Sequence, residues 1–235
     1  MENNTTRKRS GQGFVEYAII MVLVAINIIL ILQITGVNIK SLYCSIVNKL
    51  GGSSTCETYC KDSFASLSNW SQLGNSGWEA QNGMMCNTKA NEQRAYSTCS
   101  TEQKVPDDYV IDFESVVLTK GNGYGVFYRM QSKDPTTGYV FQYDPGVNGF
   151  VVRKWVNGWE VNPAVKYISA PGTDWFNVSR KVKLVVKGST MNAYIDGKLV
   201  LTANDSTYLN GGGVGLRTWD STTACFGNFS VSPIP

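Results

Sequence analysis

Two short motifs in the second half of the chain place an arginine two residues before a tryptophan. They are Arg153 with Trp155 and Arg217 with Trp219. In a β-strand the two side chains of each motif point to the same side of the sheet, because side chains alternate with a period of two. A flat aromatic ring beside a guanidinium suits a sugar, through stacking and hydrogen bonds. We therefore predict a glycan-binding surface formed by these four residues and Arg129; the alternative is that the aromatic rings fill the core.

Asp112 and Glu114 also lie two residues apart, which is about 7 Å along one face of a strand. Glycosidases use two carboxylates, about 6.5–9.5 Å apart in inverting enzymes. However, Ile111 and Phe113 alternate with them, and this is typical of a strand with one buried and one solvated face. We therefore predict no catalytic residue and no enzymatic activity.

The composition excludes several classes of site. The chain has no histidine, and its 21 Lys+Arg and 18 Asp+Glu residues give a formal net charge of +3. Without histidine there is no Ser–His–Asp triad and no HExxH metal site. Asp134, Asp144 and Asp220 could contribute to a calcium site, but they form no dense cluster, so we predict no metal and no cofactor. So small a positive surplus does not indicate a nucleic-acid partner.

The chain contains six cysteines, which are Cys44, Cys56, Cys60, Cys86, Cys99 and Cys225. None forms a CxxC pair, and an even number in an exported chain predicts disulfide bonds. Spacing along the chain favours a local bond between Cys86 and Cys99. We expect Cys225 to pair with Cys56 or Cys60, and Cys44 to take the remaining partner.

From residue 61 onward, apolar residues alternate with polar ones, and turn dipeptides are frequent. Asn-Gly and Asp-Gly dipeptides predict two hairpins. These hairpins are Phe150–Val156 with Trp159–Val161 and Asn192–Ile195 with Lys198–Leu201. The pattern predicts strands over 108–118, 124–131, 138–144, 149–156, 163–169, 178–187, 190–196, 198–203, 213–219 and 223–232. Many short strands with no helix among them predict a β-sandwich or barrel.

The N-terminal segment has a different composition. A basic cluster at 7–9 precedes Phe14–Leu32, a stretch that is apolar except at Glu16 and Asn27. As a helix this stretch would be about 28 Å long, close to the thickness of a bilayer's hydrocarbon core. Helical periodicity continues to residue 50, so we expect a helix over 12–50, a linker over 51–60 and a β domain over 61–235. The predicted fold class is a long N-terminal α-helix plus an all-β sandwich head, α+β overall; the jelly-roll arrangement of the head is implied by a resemblance given below.

Three ordinary interpretations compete for this segment: a cleaved secretory signal, a plain membrane anchor and a buried core helix. Glu16 argues for a fourth, because an ionisable side chain in a membrane-spanning helix is costly and indicates a functional partner. The run Gly11-Gln12-Gly13-Phe14-Val15-Glu16-Tyr17, followed directly by an apolar helix, resembles the type IVb pilins of the Flp/Tad class.

That resemblance implies that a prepilin peptidase removes the leader 1–11 by cutting between Gly11 and Gln12. It also implies that Glu16 and Tyr17 act in assembly, with Glu16 neutralising the new amine of a neighbouring subunit. The implied partners are further copies of the chain in a helical homo-polymer, the pilus assembly machinery, and the cytoplasmic (inner) membrane that holds the precursor. The filament itself would be extracellular.

Four segments of the β region are similar to segments of concanavalin A-like, laminin-G-like jelly-roll domains: Gly125–Arg129, Asn192–Gly197, Gly212–Trp219 and Ala224–Val231. The resemblance implies a sandwich that recognises carbohydrate or protein. We therefore expect a structural subunit of an extracellular type IV (Tad-like) pilus, which displays its β-sandwich head for adhesion, with surface glycans as targets. The alternative is a monomeric, membrane-anchored protein whose concanavalin A-like domain binds carbohydrate or acts on glycosides.

Overall fold

The structure is a computed structural model that describes residues 16–24, 58–74, 76–100 and 105–234. Contacts divide the chain into two units, Met1–Cys56 with Pro235 and Glu57–Ile234. In the first unit the described part is a helix, α1, over residues 16–24. No helix in the described ranges is long and apolar enough to cross a membrane.

The second unit is built from β-strands, with one 3-10 turn at Pro145–Val147. The strands are β1 Cys60–Asp62, β2 Trp70–Gln72, β3 Trp78–Gln81, β4 Met84–Asn87, β5 Gln93–Ser97, β6 Tyr109–Lys120, β7 Tyr124–Lys133, β8 Thr136–Asp144, β9 Gly149–Val156, β10 Trp159–Glu160, β11 Lys166–Ser169, β12 Ser179–Lys187, β13 Thr190–Ile195, β14 Lys198–Asn204, β15 Gly213–Thr218 and β16 Thr223–Ser232. The predicted strands after residue 105 all correspond to strands of this set. The strands before residue 100 escape prediction because they have only three to five residues each.

These strands form two eight-stranded antiparallel sheets. The back sheet has the order β14-β13-β12-β6-β16-β4-β3, with β1 paired to β16. The front sheet has the order β10-β9-β8-β7-β15-β5-β2, with β11 paired to β9. Successive parts of the chain alternate between the sheets, so each sheet combines strands that are far apart in sequence. The architecture confirms the predicted β-sandwich for this part of the chain.

The core lies between the two sheets and follows from the period-two alternation. On β8, Tyr139, Phe141 and Tyr143 point into the core cluster, whereas Val140 and Gln142 face the opposite side of the front sheet. Aromatic and β-branched residues of this kind fit a pleated, half-buried surface. The front sheet therefore has an inner face that makes the core and an outer face on which other side chains can act.

Both predicted hairpins are confirmed. In the first, β9 pairs with β10 so that Val156 lies opposite Trp159, and the connecting Asn157 and Gly158 both have positive φ, at 51° and 88°. In the second, β13 and β14 are joined by Asp196-Gly197, again with positive φ. Two consecutive residues with positive φ match the twist of antiparallel strands, which explains the choice of Asn or Asp followed by Gly.

The predicted fold class is wrong. The residues that the structure describes form a β-sandwich, and helix is described only at 16–24 of the range 12–50 over which we expect one. The rest of that range, the linker over 51–57 and the predicted processing residues Gly11 and Gln12 lie outside the described residues. Glu16 and Tyr17 lie in α1, where both are exposed.

The disulfide pairing also differs from the prediction. The described residues contain two bonds, Cys60–Cys99 and Cys86–Cys225. The predicted pairing of Cys86 with Cys99, and of Cys225 with Cys56 or Cys60, is therefore wrong. Sheet order is the reason: β4 and β16 are neighbours, and their register places Cys86 directly opposite Cys225, with 4.1 Å between the Cα atoms. Cys44 and Cys56 lie outside the described residues.

Candidate functional site

The outer face of the front sheet carries a row of residues brought together by strand register. Arg217 on β15 lies opposite Gly125 on β7, Gly125 lies opposite Gln142 on β8, and Gln142 lies opposite Val151 on β9. Directly opposite residues of antiparallel strands point to the same face. The row therefore runs across four strands, perpendicular to them, and it joins residues from distant parts of the chain.

A cleft of about 530 Å³ opens on this face. Polar side chains dominate its walls. It is lined by Ala90, Asn91, Glu92, Gln142, Asp144, Arg153, Glu160, Arg217, Trp219, Asp220 and Ser221. Volumes of about 300–1,000 Å³ are typical of small-molecule sites.

Arg217 is the central residue of the cleft. Its guanidinium lies between two aromatic rings, 4.6 Å from the centre of the Trp155 ring and 4.5 Å from that of Trp219. It also forms an ion pair with Glu160 and lies 3.8 Å from a carboxylate oxygen of Glu92. Its side chain is only 6% exposed, so the cation is held by ring faces and carboxylates rather than by bulk water.

Gly125 gives Arg217 the space it occupies. A Cβ atom at position 125 would lie 2.8 Å from Cγ of Arg217 and 2.7 Å from Cγ2 of Val140. Such distances are too short for carbon atoms in contact. The aliphatic part of Arg217 therefore lies flat across β7 because this position has no side chain.

Glu160 joins the arginines of the cleft into one network. It lies on β10 directly opposite Trp155. Its carboxylate accepts a 2.7 Å hydrogen bond from Nε2 of Gln142, pairs with Arg217, and lies 3.6 Å from Nε of Arg153. Arg153 in turn donates to Oε1 of Gln142 at 3.1 Å and to Oδ1 of Asn162 at 2.9 Å. Each charged group therefore has a fixed orientation before any ligand arrives.

An apolar cluster lies beside the cleft on the same face. It consists of Tyr96, Phe127, Met130, Val140 and Trp155. Trp155 is 3% exposed and packs edge-to-face on Phe127, with 5.3 Å between ring centres. This cluster is separate from the core between the sheets and supports the ring on which Arg217 lies.

Asp144 contributes a buried carboxylate to the cleft wall. Burial raises the pKa of Asp144, and the neighbouring charge of Glu160 acts in the same direction, whereas the N–H of Val147 and the charge of Arg153 oppose it. The N–H of Val147 donates to Oδ1 at 3.1 Å. In the described parts of the chain, no three His, Cys, Asp or Glu side chains are grouped so that they could hold a metal ion.

The structure brings together three of the five residues predicted to bind glycan. Arg153, Arg217 and Trp219 line the cleft. Trp155 lies beneath Arg217, where its ring is packed rather than exposed. Trp155 therefore belongs to an apolar cluster, and it also positions a cation of the cleft.

Arg129 does not reach the cleft. It lies at an irregularity of β7, between Tyr128 and Ser132, with φ of 47°, and it is 2% exposed. Its guanidinium donates to the carbonyl oxygens of Tyr208 at 3.1 Å and Asp107 at 3.0 Å. The irregularity turns this side chain away from the outer face, and its contacts tie loops to the sandwich.

Asp112 and Glu114 lie on β6 in the back sheet, away from the cleft. Asp112 lies 3.5 Å from Nζ of Lys183, and Glu114 accepts a 2.8 Å hydrogen bond from Nδ2 of Asn228. Burial raises the pKa of Asp112, while Lys183 lowers it. Ile111 and Phe113 alternate with these carboxylates and belong to the core, as the pattern indicates.

Sequence reasoning misses Glu160, Gln142 and Glu92. One signal for Glu160 was present, because a two-residue Asn157-Gly158 loop places Glu160 opposite Trp155. No comparable local signal exists for Glu92, whose approach to Arg217 depends on the pairing of β5 with β15.

Comparison with known proteins shows what this domain is similar to. The model of the family described as a 3-keto-alpha-glucoside-1,2-lyase-like domain matches residues 62–232. No match is found among curated proteins.

Several solved structures share the fold. A carbohydrate binding module, CBM66 from Bacillus subtilis, has 22% sequence identity and a TM-score of 0.59, covering 70% of this chain and 95% of that chain. The exoplasmic/lumenal domain of VIP36 in its Ca²⁺/Man3GlcNAc-bound form has 10% identity and a TM-score of 0.56, covering 75% and 89%. A putative glycosyl hydrolase from Parabacteroides distasonis has 12% identity and a TM-score of 0.54, covering 74% and 100%. At these identities the likeness shows the fold alone.

These findings overturn the pilin interpretation, which is wrong. The family model that matches residues 62–232 describes a sugar-related domain, and the solved structures that share the fold include a carbohydrate binding module. The predicted filament partners, the prepilin peptidase and the assembly roles of Glu16 and Tyr17 rested on that interpretation. The findings favour the alternative, a concanavalin A-like domain that binds carbohydrate or acts on glycosides.

Proposed function

We propose a function for this chain from its family: it belongs to the 3-keto-alpha-glucoside-1,2-lyase-like domain family. On that premise, the β-sandwich is a carbohydrate-binding domain, and the sugar lies in the cleft on the outer face of the front sheet. The observation that carries this proposal is the Arg153–Glu160–Arg217 network beside Trp219.

The chemistry of the network matches that of a sugar. Each hydroxyl of a sugar both donates and accepts hydrogen bonds. The carboxylate of Glu160 accepts, the guanidiniums of Arg153 and Arg217 donate, and the amide of Gln142 does both. A partly exposed ring, Trp219, adds an apolar surface at the edge of the same cleft.

The cleft is also ordered in advance of binding. Arg153 is held by Gln142 and Asn162, and Arg217 is held by two rings and Glu160. Side chains that are already fixed lose little conformational entropy on binding, so more of the interaction energy appears as affinity. This supports a recognition role.

The names of the similar proteins support the same proposal. One is a carbohydrate binding module, and another was solved with Man3GlcNAc bound. We propose an extracellular location for the domain. The two disulfide bonds support this location, because disulfides persist in oxidising compartments.

Binding without catalysis is the form of the proposal that we favour. Glu160, the carboxylate at the centre of the network, pairs with the guanidiniums of Arg153 and Arg217. A carboxylate that is held by two guanidiniums in this way is suited to accept a hydrogen bond from a sugar hydroxyl and to hold it in place.

A second candidate function, cleavage of glycosides, is favoured by one observation. Asp144 lines the same cleft, and burial raises its pKa, which is the change that a general acid needs. The description of the family and the putative glycosyl hydrolase among the similar structures are consistent with it. In this case Asp144 would protonate the leaving oxygen.

A glycan array with the full chain tests the proposal. The array should include α-glucosides, and Glu160→Gln and Trp219→Ala should each weaken binding of any glycan that the wild type retains. Asp112→Asn, on the other sheet, is the matched control and should bind normally. Equal binding by all variants would refute the assignment of the cleft.

Incubation of the domain with the glycans that it retains on the array distinguishes binding from cleavage. If the domain only binds, prolonged incubation releases no product. If it cleaves, products appear for the wild type and are lost in Asp144→Asn while binding persists.

A further inference from the structure

Tyr167 is an exposed aromatic residue that lies on the same face as the cleft. It is on β11 directly opposite Val151, and Val151 is directly opposite Gln142 in the cleft wall. The neighbouring Ile168 packs toward the core instead, so alternation places the ring of Tyr167 on the outer face. Tyr167 therefore extends the row of residues that runs through Val151 and Gln142 to Arg217.

The ring of Tyr167 is held in a fixed position. Its hydroxyl donates a 3.0 Å hydrogen bond to the carbonyl oxygen of Val147. The ring lies directly over Gly149, since a Cβ atom there would be 2.4 Å from Cε2 of Tyr167. The N–H of Val147 donates to Asp144, so the same turn that anchors the tyrosine also forms part of the cleft wall.

This fixed ring is nevertheless 46% exposed. One side of it packs on the backbone at Gly149, so the exposed area includes the opposite side. A large apolar surface that is both rigid and open to solvent loses little conformational entropy when a ligand binds. Such a ring suits the flat apolar side of a second sugar.

The distance from Tyr167 to the cleft decides what kind of ligand could reach both. Neighbouring strands are about 4.8 Å apart, so Tyr167 is about 10 Å from Gln142 and about 19 Å from Arg217 along the row. Val151, which is buried, lies between Tyr167 and Gln142 in this row. One sugar ring cannot span this distance, whereas a short chain of linked sugars can.

We propose that the cleft is one end of a longer groove that binds an oligosaccharide chain across the strands, with Tyr167 as the stacking surface for a second sugar unit. This inference rests on the proposed carbohydrate-binding function. It assigns the ligand class as a chain of neutral sugars, because the walls of the cleft carry four carboxylates, Glu92, Asp144, Glu160 and Asp220, against two arginines.

Trp159 provides a matched control on the same edge of the sheet. It is 79% exposed, and it precedes Glu160 on β10, so alternation directs its side chain away from the outer face. Loss of this ring removes an exposed aromatic surface without touching the groove.

The test measures how affinity depends on the length of the sugar chain. The probes are glucose and fructose, together with malto-, isomalto-, cello- and fructo-oligosaccharides of two to five units, titrated calorimetrically into the full chain. In a series that binds, affinity should rise about tenfold from one unit to three. Tyr167→Ala should abolish the rise and leave affinity for the monosaccharide unchanged. Tyr167→Phe and Trp159→Ala should keep the rise, with melting temperatures confirming that all variants fold.

Two outcomes would overturn the inference alone: equal affinity for one and three units, or a rise that survives in Tyr167→Ala. Failure of the wild type to bind any of these probes would overturn the inference as stated. If the glycan array is also negative, the carbohydrate-binding function fails with it, so the two failures are distinguishable.

Discussion

The guanidinium of Arg217 lies over the ring of Trp155, with its central carbon 4.6 Å from the ring centre. The two residues are far apart in sequence, on β15 and β9, and two strands of the front sheet separate them. Through this contact an apolar cluster supports the charged network of the cleft. Stability and recognition are therefore coupled at Arg217, and the coupling can be measured.

Arg217→Lys should both weaken glycan binding and destabilise the fold. The loss in the free energy of binding should be at least as large as the loss in the free energy of unfolding. Lysine keeps the charge but lacks the planar group that stacks between Trp155 and Trp219 and pairs with Glu160. We expect a loss of about 1–3 kcal/mol in the free energy of unfolding, measured by urea denaturation. Arg180→Lys, at a partly exposed ion pair with Asp196 that has no aromatic stack, is the control and should change it by less than Arg217→Lys does. Similar losses in both variants would count against the role of the stack.

The two tryptophans should separate packing from recognition. Trp155 is buried in the apolar cluster, so Trp155→Ala should cost about 3–5 kcal/mol in the free energy of unfolding. Trp219 lies at the rim of the cleft, so Trp219→Ala should cost much less and act mainly on glycan affinity. Thermal unfolding and calorimetric titration measure the two effects. A large loss of stability in Trp219→Ala would contradict this division.

Gly125→Ala should disturb both Val140 and Arg217. A Cβ atom would lie within 2.8 Å of each side chain, so we expect a destabilisation of about 1–3 kcal/mol and weaker glycan binding. Gly227 is the matched control, because a Cβ atom there would meet its nearest neighbour at 3.5 Å, an ordinary contact distance. Gly227→Ala should therefore be tolerated. Chemical denaturation of the two variants tests the difference, and equal stabilities would show that Arg217 has room to move.

The two disulfide bonds should differ in their contribution to stability. Cys86–Cys225 closes a sequence separation of 139 residues, and Cys60–Cys99 closes one of 39. In the chain-entropy account the longer loop is worth about 1 kcal/mol more. Replacing Cys86 and Cys225 by alanine should therefore lower the melting temperature more than replacing Cys60 and Cys99. The reverse order would indicate that native packing, rather than loop length, dominates.

Asp205 should make the stability of the domain depend on pH. Its carboxylate accepts hydrogen bonds from the Tyr139 hydroxyl at 2.6 Å and the Thr207 N–H at 2.8 Å, and it lies 3.2 Å from Nζ of Lys154. Burial raises the pKa of Asp205, but the hydrogen bonds outweigh burial and hold the pKa well below its usual range.

The sign of the effect follows from this depressed pKa. The carboxylate stabilises the folded state above its unfolded pKa of about 4, and the stabilisation is lost as the pH falls through the folded value. Asp205→Asn should therefore lower the melting temperature most at pH 7 and progressively less toward pH 2. A difference that stays constant over this range would contradict the assignment.

Several features of the site were predictable because their causes are local. Arg153 and Trp155 share a face because side chains alternate along β9, and Asn157-Gly158 sets the hairpin register that places Glu160 opposite Trp155. Both effects act within a few residues. The same reasoning fails at Arg129, where an irregularity in β7 interrupts the alternation and turns the side chain inward.

Sequence alone therefore determined the strands after residue 105, the hairpins and the residue types that could meet a sugar, since a period of two and a two-residue turn are properties of neighbouring residues. Only the tertiary structure decided which strands became neighbours. The pairing of β4 with β16 selected the partner of Cys86, and the position of β15 between β5 and β7 brought Arg217 near Glu92. These contacts join residues more than 100 positions apart, and they form because the two sheets must bury their inner faces against each other, a requirement that no short segment expresses.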